Sequence, residues 1–514
     1  MLATAHSAVL VGLAAHPVRV EVQALRGVPS FELVGLAEVA VRESRVRVKS
    51  ALAQLGVDLS EYRVVVNLAP ADVKKRGSAF DLAIAVATLV SLDMLPPDCL
   101  GDVLFLGELS LDGTLHPLRG VIAHLLGARE RGVARAIVPA ANEREAALCD
   151  GIEVGIAPTL RELVEALRGE IALPTAKARP EPPTSLPIDD LADVRGQPRA
   201  RRALEIAAAG AHNLLFLGPP GGGKTMLARR LPGVLPALAR EEALEVLAVQ
   251  SVAGLLGASR HMGVRPFRAP HHTASDVALV GGGELSRPGE VSLAHNGVLF
   301  LDELSEFRRG TLEALRQPLE DGFVTVSRAQ LTATFPARPM LVGATNPCPC
   351  GHLGDGTHRC SCRPDHMRAY RARLSGPLVD RLDIHVALPP VDVTALRGEH
   401  SGERSVVVRA RVERARAIQR ERMARREASA GANAHLGVKD LERVCALDDV
   451  GARLVEKAVR QLGLSARGYG KVLRVARTIA DLEGVTSIQP AHVAEAIGMR
   501  ILDRTDLSSS AFAA

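Results

Sequence analysis

The chain of 514 residues carries 63 Lys and Arg against 58 Asp and Glu, which gives a formal net charge of +5, and it contains no tryptophan. The length predicts about three domains, and the mildly basic charge permits a nucleic-acid partner without requiring one. Because only 3% of the residues are aromatic, the composition disfavours a single-strand binder that stacks bases on aromatic rings, and any nucleic-acid contact should run mainly to phosphates.

The apolar and cysteine patterns indicate a cytoplasmic protein. The longest apolar run, at residues 82–90, is too short to span a bilayer. Seven cysteines are an odd number, and four of them are clustered, which is not typical of a secreted disulfide framework. We therefore expect a cytoplasmic chain with no membrane partner.

The first 172 residues alternate two kinds of segment, which is typical of an α/β or α+β domain. The β-like runs are residues 18–22, 63–67 and 103–106. The helical stretches are residues 39–55, 80–90 and 120–129.

Two segments of this region, residues 67–81 and 107–113, resemble the proteolytic domain of Lon-type proteases. In that family a lysine activates a serine, because a lone hydroxyl is a poor nucleophile. Ser78 falls at the serine position, but Ile122 occupies the lysine position and cannot take a proton. We interpret the domain as an inactive relative retained for assembly or partner binding. The lysine pair at 74–75 offers substitute bases, although we expect both to be solvated loop residues.

Residues 173–188 change in composition. Five prolines break any regular element there: Pro174, Pro180, Pro182, Pro183 and Pro187. A stretch of this kind is a semi-rigid extended linker, so it predicts a boundary between two domains.

A glycine-rich loop follows the apolar run at residues 213–217 and precedes a helix-forming segment. The loop reads Gly218, Pro219, Pro220, Gly221, Gly222, Gly223, Lys224 and Thr225. Strand, loop and helix in this order form a phosphate-binding P-loop, whose backbone N–H groups converge on phosphate oxygens. Lys224 should reach the terminal phosphates and Thr225 should offer its hydroxyl to magnesium. The sequence therefore predicts binding of ATP and Mg²⁺.

Two further apolar runs end in polar residues. Residues 297–301 lead into Asp302 and Glu303, which is the Walker B pattern. Asp302 should hold magnesium directly or through water, while Glu303 should orient and deprotonate the attacking water. Residues 340–344 lead to a polar tip at Asn346.

With these motifs the chain resembles the AAA+ ATPase family. The resemblance implies a sensor-1 role for Asn346, which would help to orient the lytic water. It also implies an arginine finger in residues 375–383, where Arg381 would enter a neighbouring subunit's site and Arg373 is the alternative. A finger supplied by a neighbour implies a ring, and the resemblance implies a homohexamer.

Residues 464–482 resemble the sensor-2 helix of the AAA+ lid. Arg467 at its start would contact the γ-phosphate, with Arg474 as second choice. An arginine-rich stretch precedes it and contains Arg409, Arg411, Arg414, Arg416, Arg420, Arg422, Arg425 and Arg426. Interspersed glutamates favour a solvated, salt-bridged helix over a phosphate-contacting face. Residues 506–514 are expected to be a frayed tail.

Two insertions interrupt the AAA+ pattern. Residues 321–335 alternate apolar and polar side chains about a turn near Arg328, which predicts a β-hairpin. It resembles the pore-facing pre-sensor-1 hairpin of magnesium chelatase motor subunits and minichromosome-maintenance helicases. Residues 255–289 include His271 and His272, whose side chains should point to opposite faces of an extended segment and share a metal poorly. We favour a structural or DNA-facing loop there over a metal site.

Four cysteines form two C-x-C pairs separated by nine residues: Cys348, Cys350, Cys360 and Cys362. Four thiolates can close a tetrahedral zinc site. His352, His358 and His366 are spare candidate ligands. Zinc is the favoured interpretation, and reduced structural thiols or a redox role are the alternatives.

The combined order of segments resembles the bacterial YifB/ComM family of magnesium-chelatase-like ATPases. The resemblance implies an α/β fold with an AAA+ P-loop core and a helical lid, preceded by an inactive Lon-protease-like domain. The corresponding ranges are 1–172 for the Lon-like domain, 173–188 for the linker, 189–390 for the core and 391–514 for the lid.

This resemblance also implies a function: a hexameric, ATP-dependent DNA motor or helicase that promotes branch migration when incoming single-stranded DNA recombines during natural transformation. Its partner would be single-stranded or branched DNA. The alternatives are a magnesium chelatase motor subunit that drives metal insertion into a porphyrin, and an ATP-dependent protease or regulator. Ile122 argues against proteolysis.

Overall fold

Alternating apolar residues build the first sheet. In the second strand Val18, Val20 and Val22 are buried because successive side chains of a strand point to opposite faces. The computed structural model describes residues 1–35, 38–177, 189–256, 263–283, 287–328, 331–353, 359–374, 376–390 and 402–503. Most of the predicted linker, from 178 to 188, and the predicted tail lie outside these residues.

The N-terminal region contains a seven-stranded mixed sheet. The strands of the whole region are β1 (Leu2–Val11), β2 (Ala14–Arg26), β3 (Ser30–Val34), β4 (Tyr62–Ala69), β5 (Val103–Phe105), β6 (Glu108–Leu109), β7 (Leu115–His116), β8 (Arg135–Pro139) and β9 (Glu153–Ala157). The sheet order is β3-β4-β2-β1-β5-β8-β9, and β6 pairs with β7 in a separate ribbon. The predicted strands in this region are confirmed.

The helices of this region are α1 (Val39–Gln54), α2 (Asp81–Ser91), α3 (Val121–Glu130), α4 (Glu143–Ala146) and α5 (Leu160–Leu167). All residues of α2 are buried. A helix that is apolar on every side must be covered on every side, and α2 lies against β1, β2 and α1.

The two positions that the Lon-type pattern assigns to a serine and a lysine, Ser78 and Ile122, do not form a serine–lysine pair. The Ser78 hydroxyl donates a hydrogen bond to Glu108, and Ile122 is fully buried. The expectation of a solvated lysine is wrong for Lys75, whose side chain is buried and whose ammonium donates to the carbonyl of Pro70. A buried ammonium needs such an acceptor, which a reading of local composition does not reveal.

A second sheet is parallel throughout. The strands after the linker are β10 (Leu214–Leu217), β11 (Phe267–Arg268), β12 (Gly281–Gly282), β13 (Arg287–Pro288), β14 (Val298–Leu301), β15 (Phe323–Arg328), β16 (Leu331–Pro336), β17 (Met340–Thr345) and β18 (Ile384–Ala387). The sheet order is β11-β14-β17-β10-β18. Its central strands are apolar along their length because helices cover both faces. Their carboxyl ends meet at one edge, which is where ligands bind in such sheets.

The helices of this region are α6 (Pro198–Gly210), α7 (Lys224–Val234), α8 (Arg240–Ala253), α9 (Asp276–Val280), α10 (Glu290–Leu293), α11 (Arg309–Ala314), α12 (Arg316–Asp321), α13 (Pro364–Arg371) and α14 (Gly376–Val379). The predicted hairpin is confirmed: β15 and β16 pair antiparallel, from Phe323 opposite Pro336 to Arg328 opposite Leu331. Residues 329–330 at its tip lie outside the described residues.

The C-terminal region is helical, as predicted. It contains α15 (Ser405–Ala424), α16 (Val438–Val444), α17 (Asp449–Leu462), α18 (Ala466–Glu483) and α19 (Pro490–Gly498). Buried residues of α15 and α18 share one hydrophobic core with α6, α7 and the parallel sheet. This region therefore packs as a continuous extension of the region that holds the parallel sheet.

The arginine-rich helix is salt-bridged, as expected. Arg411 pairs with Glu205 and Glu403, and Arg422 pairs with Asp481. Arg409 and Arg416 donate to backbone carbonyls of the core. Half of the predicted run therefore fastens α15 to its own chain, and those side chains are not available to phosphates.

The N-terminal region packs on the region of the parallel sheet through α3 and α8. Ile122, Leu247 and Ala248 share one hydrophobic cluster. The buried Glu145 carboxylate accepts hydrogen bonds from the Ile122 N–H, at 3.0 Å, and from the Ser251 hydroxyl of α8. The edge at which the Lon-type pattern places its lysine is thus covered by a helix of the same chain.

Candidate functional site

The loop between β10 and α7 has the backbone geometry that a phosphate cradle needs. Gly223 has a φ of +86°, a conformation that residues with a Cβ rarely adopt. A Cβ at Gly218 would lie 2.6 Å from the carbonyl oxygen of Leu388. The glycines at these two positions are therefore steric requirements of the loop, and α7 begins directly after it with its free N–H groups facing the cavity.

Lys224 and Asn346 meet at the floor of this cavity. The ammonium donates to the Gly218 carbonyl at 2.6 Å, to the Pro219 carbonyl at 2.9 Å and to Asn346 Oδ1 at 3.0 Å. Burial lowers the pKa of Lys224 to about 8, because a low-dielectric environment disfavours the charged form. The P-loop lysine and the tip of β17 are thus joined directly.

Thr225 and Asp302 are also brought together. The Thr225 hydroxyl donates to Asp302 Oδ2 at 2.7 Å. A hydroxyl beside a carboxylate supplies the hard oxygen donors that Mg²⁺ prefers, so these residues fit the predicted metal. Glu303 follows on the same edge. Together they line a cavity of about 370 Å³, formed by residues 220–226, 302, 303, 345 and 346.

The predicted trans-acting arginine, Arg381, lies away from this cavity. Arg381 precedes β18, whose Ile384 pairs with Leu214 at the start of β10, whereas the P-loop follows the end of β10. Arg381 therefore lies at the opposite edge of the sheet, where it pairs with Glu320. Neither Arg381 nor Arg467 lines the cavity of its own chain.

The start of α18 lies beside Arg381. Lys471 of this helix donates to the carbonyls of Asp380 and Leu382, and Arg467 is one helical turn earlier on an exposed position. The two alternatives are engaged elsewhere: Arg474 donates to the Leu436 carbonyl, and Arg373 pairs with Glu306 at 3.2 Å. Arg467 thus lies about one helical turn from the residue that contacts the segment around Arg381.

The four cysteines converge. Their sulfur atoms all lie within 4.8 Å of one another, with Cys348 at 3.4 Å from Cys350 and 3.8 Å from Cys360. In a tetrahedral site with Zn–S bonds of about 2.3 Å, sulfur atoms are about 3.8 Å apart. The donor set and its spacing therefore fit zinc. None of the spare histidines joins this group among the described residues, and His358 lies outside them.

The cysteine segment packs on the P-loop. A Cβ at Gly351 would lie 2.7 Å from Pro220 Cδ, and Gly351 has a φ of +80°. Only a glycine allows this approach. The cluster therefore braces the rim of the nucleotide cavity.

The histidine pair differs from expectation. A turn at His272 brings the rings of His271 and His272 together, with centroids 4.1 Å apart, so the expectation that they point to opposite faces is wrong. His272 Nδ1 lies 3.4 Å from Glu303 Oε2. The sequence interpretation missed this neighbour of Glu303. The strand formed by Phe267 and Arg268 is too short for the sequence to reveal that the segment runs beside the Walker B strand.

No helix in the described part of the chain has both the length and the apolar character needed to cross a membrane.

Comparisons with known proteins identify relatives of each region. Family models described as magnesium chelatase subunit ChlI match residues 190–396 and 20–142, and the model of the ChlI C-terminal region matches residues 402–500. The competence protein ComM of Haemophilus influenzae is 45% identical over 508 residues, which cover 98% of both chains. YifB of Escherichia coli is 42% identical, also over 98% of both chains. Lon protease 2 of Bacillus subtilis is 26% identical over 148 residues, covering 27% of this chain and 26% of the protease.

The lowered pKa of Lys224 predicts pH-dependent nucleotide binding. Its pKa of about 8 means that the charged fraction falls as the pH rises through 8, while bound phosphates favour the charged form. We expect ATP binding to take up a proton above this pH and its affinity to fall by up to about tenfold per pH unit. Calorimetry in buffers of different ionisation enthalpy measures the uptake.

Two variants control this measurement. Lys224→Ala should abolish binding at every pH. Lys224→Arg keeps its charge throughout this range, so whatever affinity remains should not depend on pH. Equal wild-type affinity at pH 7 and at about pH 9.5 would contradict the prediction.

Proposed function

Because the chain belongs to the YifB/ComM family of magnesium-chelatase-like AAA+ ATPases, we propose that it is a ring-forming, ATP-driven DNA motor that promotes branch migration when incoming DNA recombines. The observation that carries the proposal is the pairing of a complete P-loop and Walker B edge with arginines on the opposite edge of the sheet. The full-length relative named as a competence protein supports natural transformation as the setting. The site of action would be the cytoplasm.

The roles proposed for the residues follow from their positions. Lys224 and the loop N–H groups bind phosphates, and Thr225 with Asp302 would hold Mg²⁺, which neutralises phosphate charge. Glu303 takes the proton of the attacking water, and Asn346 orients that water from the neighbouring strand. The Lys224–Asn346 hydrogen bond of 3.0 Å joins phosphate binding to the position of the sensor residue.

The location of the arginines supports a site shared between subunits. A side chain at the amino edge of the sheet cannot reach the P-loop at the carboxyl edge of the same sheet. In the proposed assembly, Arg381 enters the cavity of a neighbouring copy. A closed ring gives each cavity such a neighbour, and the family resemblance makes that ring a hexamer. Insertion of Arg381 requires its ion pair with Glu320 to open.

The hairpins provide a route from hydrolysis to DNA. The β12–β13 ribbon lies against β15, so the two inserted hairpins form one structure. The second strand of the β15–β16 hairpin packs against the N-terminal region, since a Cβ at Gly12 would lie 2.5 Å from the Thr334 carbonyl oxygen of β16. We propose that these hairpins line the pore and contact the backbone of single-stranded or branched DNA.

A magnesium chelatase motor subunit is the second candidate, favoured by the printed descriptions of the three family models. Such a subunit would hydrolyse ATP without a response to DNA. Proteolysis is disfavoured by the buried Ile122 and by the hydrogen bond of Ser78 to Glu108.

ATP turnover with and without DNA tests the proposal. We expect single-stranded and forked DNA to raise turnover severalfold, more than blunt duplex does, and the protein to move a four-way junction only while it hydrolyses ATP. Glu303→Gln should bind ATP but lower turnover by about 100-fold or more, because the water loses its base. If ATP turnover does not respond to DNA and the protein drives insertion of magnesium into a porphyrin, the chelatase function replaces the proposed motor function.

Mixed rings test the shared site. When every subunit carries Arg381→Ala, ATP turnover should fall by about 1,000-fold, as expected for the loss of an arginine finger. Added to an equal amount of wild-type protein, the variant should reduce activity well below half, since each variant subunit disables its neighbour's cavity. Activity that follows the wild-type fraction in proportion would contradict a shared site. Poisoning by Arg373→Ala instead would reassign the finger.

We also propose that the four cysteines hold one zinc ion. Four thiolates in a compact cluster repel one another unless a metal neutralises them. A bound ion would fix the segment that packs on Pro220 and would thereby stiffen the rim of the nucleotide cavity.

Metal analysis of protein purified without chelator should give one zinc per chain. Cys360→Ser should release the metal and lower both the melting temperature and the affinity for ATP. Cys99→Ser alters a free cysteine outside the cluster and should change none of these three properties. Metal-free protein whose four thiols react freely would support reduced thiols, and a disulfide under non-reducing conditions would support the redox alternative.

A further inference from the structure

The short connection that carries Arg381, residues 380–383, is held by side chains from other parts of the chain. This finger segment joins α14 to β18. The carbonyl oxygens of all four residues accept hydrogen bonds from side chains that lie elsewhere in the chain. Carbonyls of a connection commonly bond to water instead, so this arrangement fixes a backbone path that solvent would leave free.

Two buried cations from the helical C-terminal region supply most of these bonds. Lys471 of α18 donates to the carbonyls of Asp380 and Leu382, to the latter at 3.0 Å. Arg500, which follows α19, donates to the carbonyls of Leu382 at 2.8 Å and Asp383 at 3.3 Å. Lys471 and Arg500 are only 8% and 2% exposed, and hydrogen bonds shielded from water are stronger. The finger segment is therefore bound firmly to the helical region.

The Asp383 side chain ties Lys471 to the parallel sheet. Its carboxylate lies 3.3 Å from Lys471 Nζ and accepts from the Asn213 N–H at 2.9 Å. Burial raises the pKa of the Asp383 carboxyl, but the charge of Lys471 and the hydrogen bonds outweigh burial and hold this pKa below its ordinary value. The carboxylate is therefore charged at neutral pH, and Lys471 balances that charge.

Asn213 joins the same segment to the strands that lead to the nucleotide cavity. It stands directly before β10, which ends at the P-loop, and its side-chain amide donates to the Arg381 carbonyl at 2.9 Å. Its Oδ1 accepts from the Leu341 N–H of β17 at 2.8 Å. The finger segment thus lies between the helical region and the amino ends of β10 and β17.

The backbone at Arg381 is fixed, whereas its side chain has unused bonding capacity. The guanidinium pairs with Glu320, and its buried Nε has no hydrogen-bond partner among the described residues. A buried N–H without an acceptor is unfavourable, so a new acceptor outside the chain would stabilise this side chain. A catalytic group also needs a rigid base, because small displacements are costly.

We propose that Lys471 is a positioning residue for the arginine finger. It fixes the backbone of the finger segment, so that Arg381 enters the neighbouring subunit's cavity from a defined position, and it ties that position to the helical region of its own chain. The inference rests on the proposed site shared between subunits. Lys471 contacts neither nucleotide nor the attacking water in this account.

Steady-state kinetics give the first test. Lys471→Met removes the ammonium group and keeps a side chain of similar length. It should lower ATP turnover by about 100-fold, the cost of a small misplacement of a catalytic group. The affinity for a non-hydrolysable ATP analogue should not change, because the P-loop of the variant is intact. Lys457→Met, at an exposed position of α17, is the matched control and should keep the wild-type rate.

Mixing with Glu303→Gln separates an effect on the neighbour's cavity from an effect on the variant's own cavity. Glu303→Gln subunits have an inactive cavity and an intact finger, and Lys471→Met subunits have the reverse. In rings formed from equal amounts, half of the subunits keep a working base and half of those receive an intact finger, so turnover should recover to about a quarter of the wild-type value. Arg381→Ala mixed with Glu303→Gln is the positive control.

The double variant Lys471→Met with Arg381→Ala tests whether Lys471 acts through that side chain. Its ATP turnover should equal that of Arg381→Ala alone, because a finger that is absent cannot be misplaced, and effects that share one route do not add. A further large fall in turnover would show that Lys471 acts by another route, such as Arg467, and would overturn the proposal.

The outcomes separate this inference from the proposed function. Recovery in the Arg381→Ala mixture but not in the Lys471→Met mixture overturns the positioning role and leaves the shared site intact. No recovery in either mixture rejects the shared site itself.

A folding defect is also decisive. Lys471→Met leaves the buried Asp383 carboxylate without its cation, which is destabilising, and the added change Asp383→Asn removes that charge. If the doubly substituted protein binds the ATP analogue, its mixture with Glu303→Gln should show the same recovery. If it too loses both analogue binding and melting temperature, Lys471 serves folding alone and the proposal is rejected.

Discussion

The carboxyl edge of the parallel sheet is the constraint on which the site depends. Parallel strands end on the same side, so β10, β14 and β17 deliver Lys224, Asp302 and Asn346 to one small volume, although these residues are far apart in the chain. The converging residues contact one another directly, through the hydrogen bonds from Lys224 to Asn346 and from Thr225 to Asp302. Because the sheet also has an amino edge, residues that precede β18 face a different surface. The proposed site shared between subunits rests on this polarity of the sheet.

The N-terminal region packs against α8 at the edge where the Lon-type pattern has its lysine. Where the Lon-type pattern calls for a lysine, a buried isoleucine packs against α8, and the Glu145 carboxylate joins both regions through the Ile122 N–H and the Ser251 hydroxyl. A lysine at this position would bury an ammonium in an apolar interface, which is costly without a partner. α8 also contacts the segment before β14, where the Glu245 carboxylate accepts a hydrogen bond from His295 at 2.9 Å. This helix therefore lies between the Ile122 edge of the N-terminal region and the segment that leads into the Walker B strand.

The nucleotide cavity has several packed neighbours that could sense or transmit its state. The cysteine segment leans on Pro220, the His272 ring lies beside Glu303, and Ser305 joins Thr345 to Tyr370 of α13 by hydrogen bonds of 3.0 and 2.5 Å. Each contact links a different element to the edge where phosphates would bind. Movement of the hairpins, the cysteine cluster or α13 would change the same small set of side chains.

The sequence alone determined the local motifs. The P-loop, the Walker B tip, the hairpin at β15–β16 and the C-x-C pairs are each specified by contiguous residues, since turn chemistry and strand periodicity act over short range. Other properties needed the tertiary structure. Lys75 was expected in solvent but is buried, because burial depends on what packs above a residue. The edge occupied by Arg381, and the neighbour that Glu303 finds in His272, depend on the order and register of strands that no local pattern encodes.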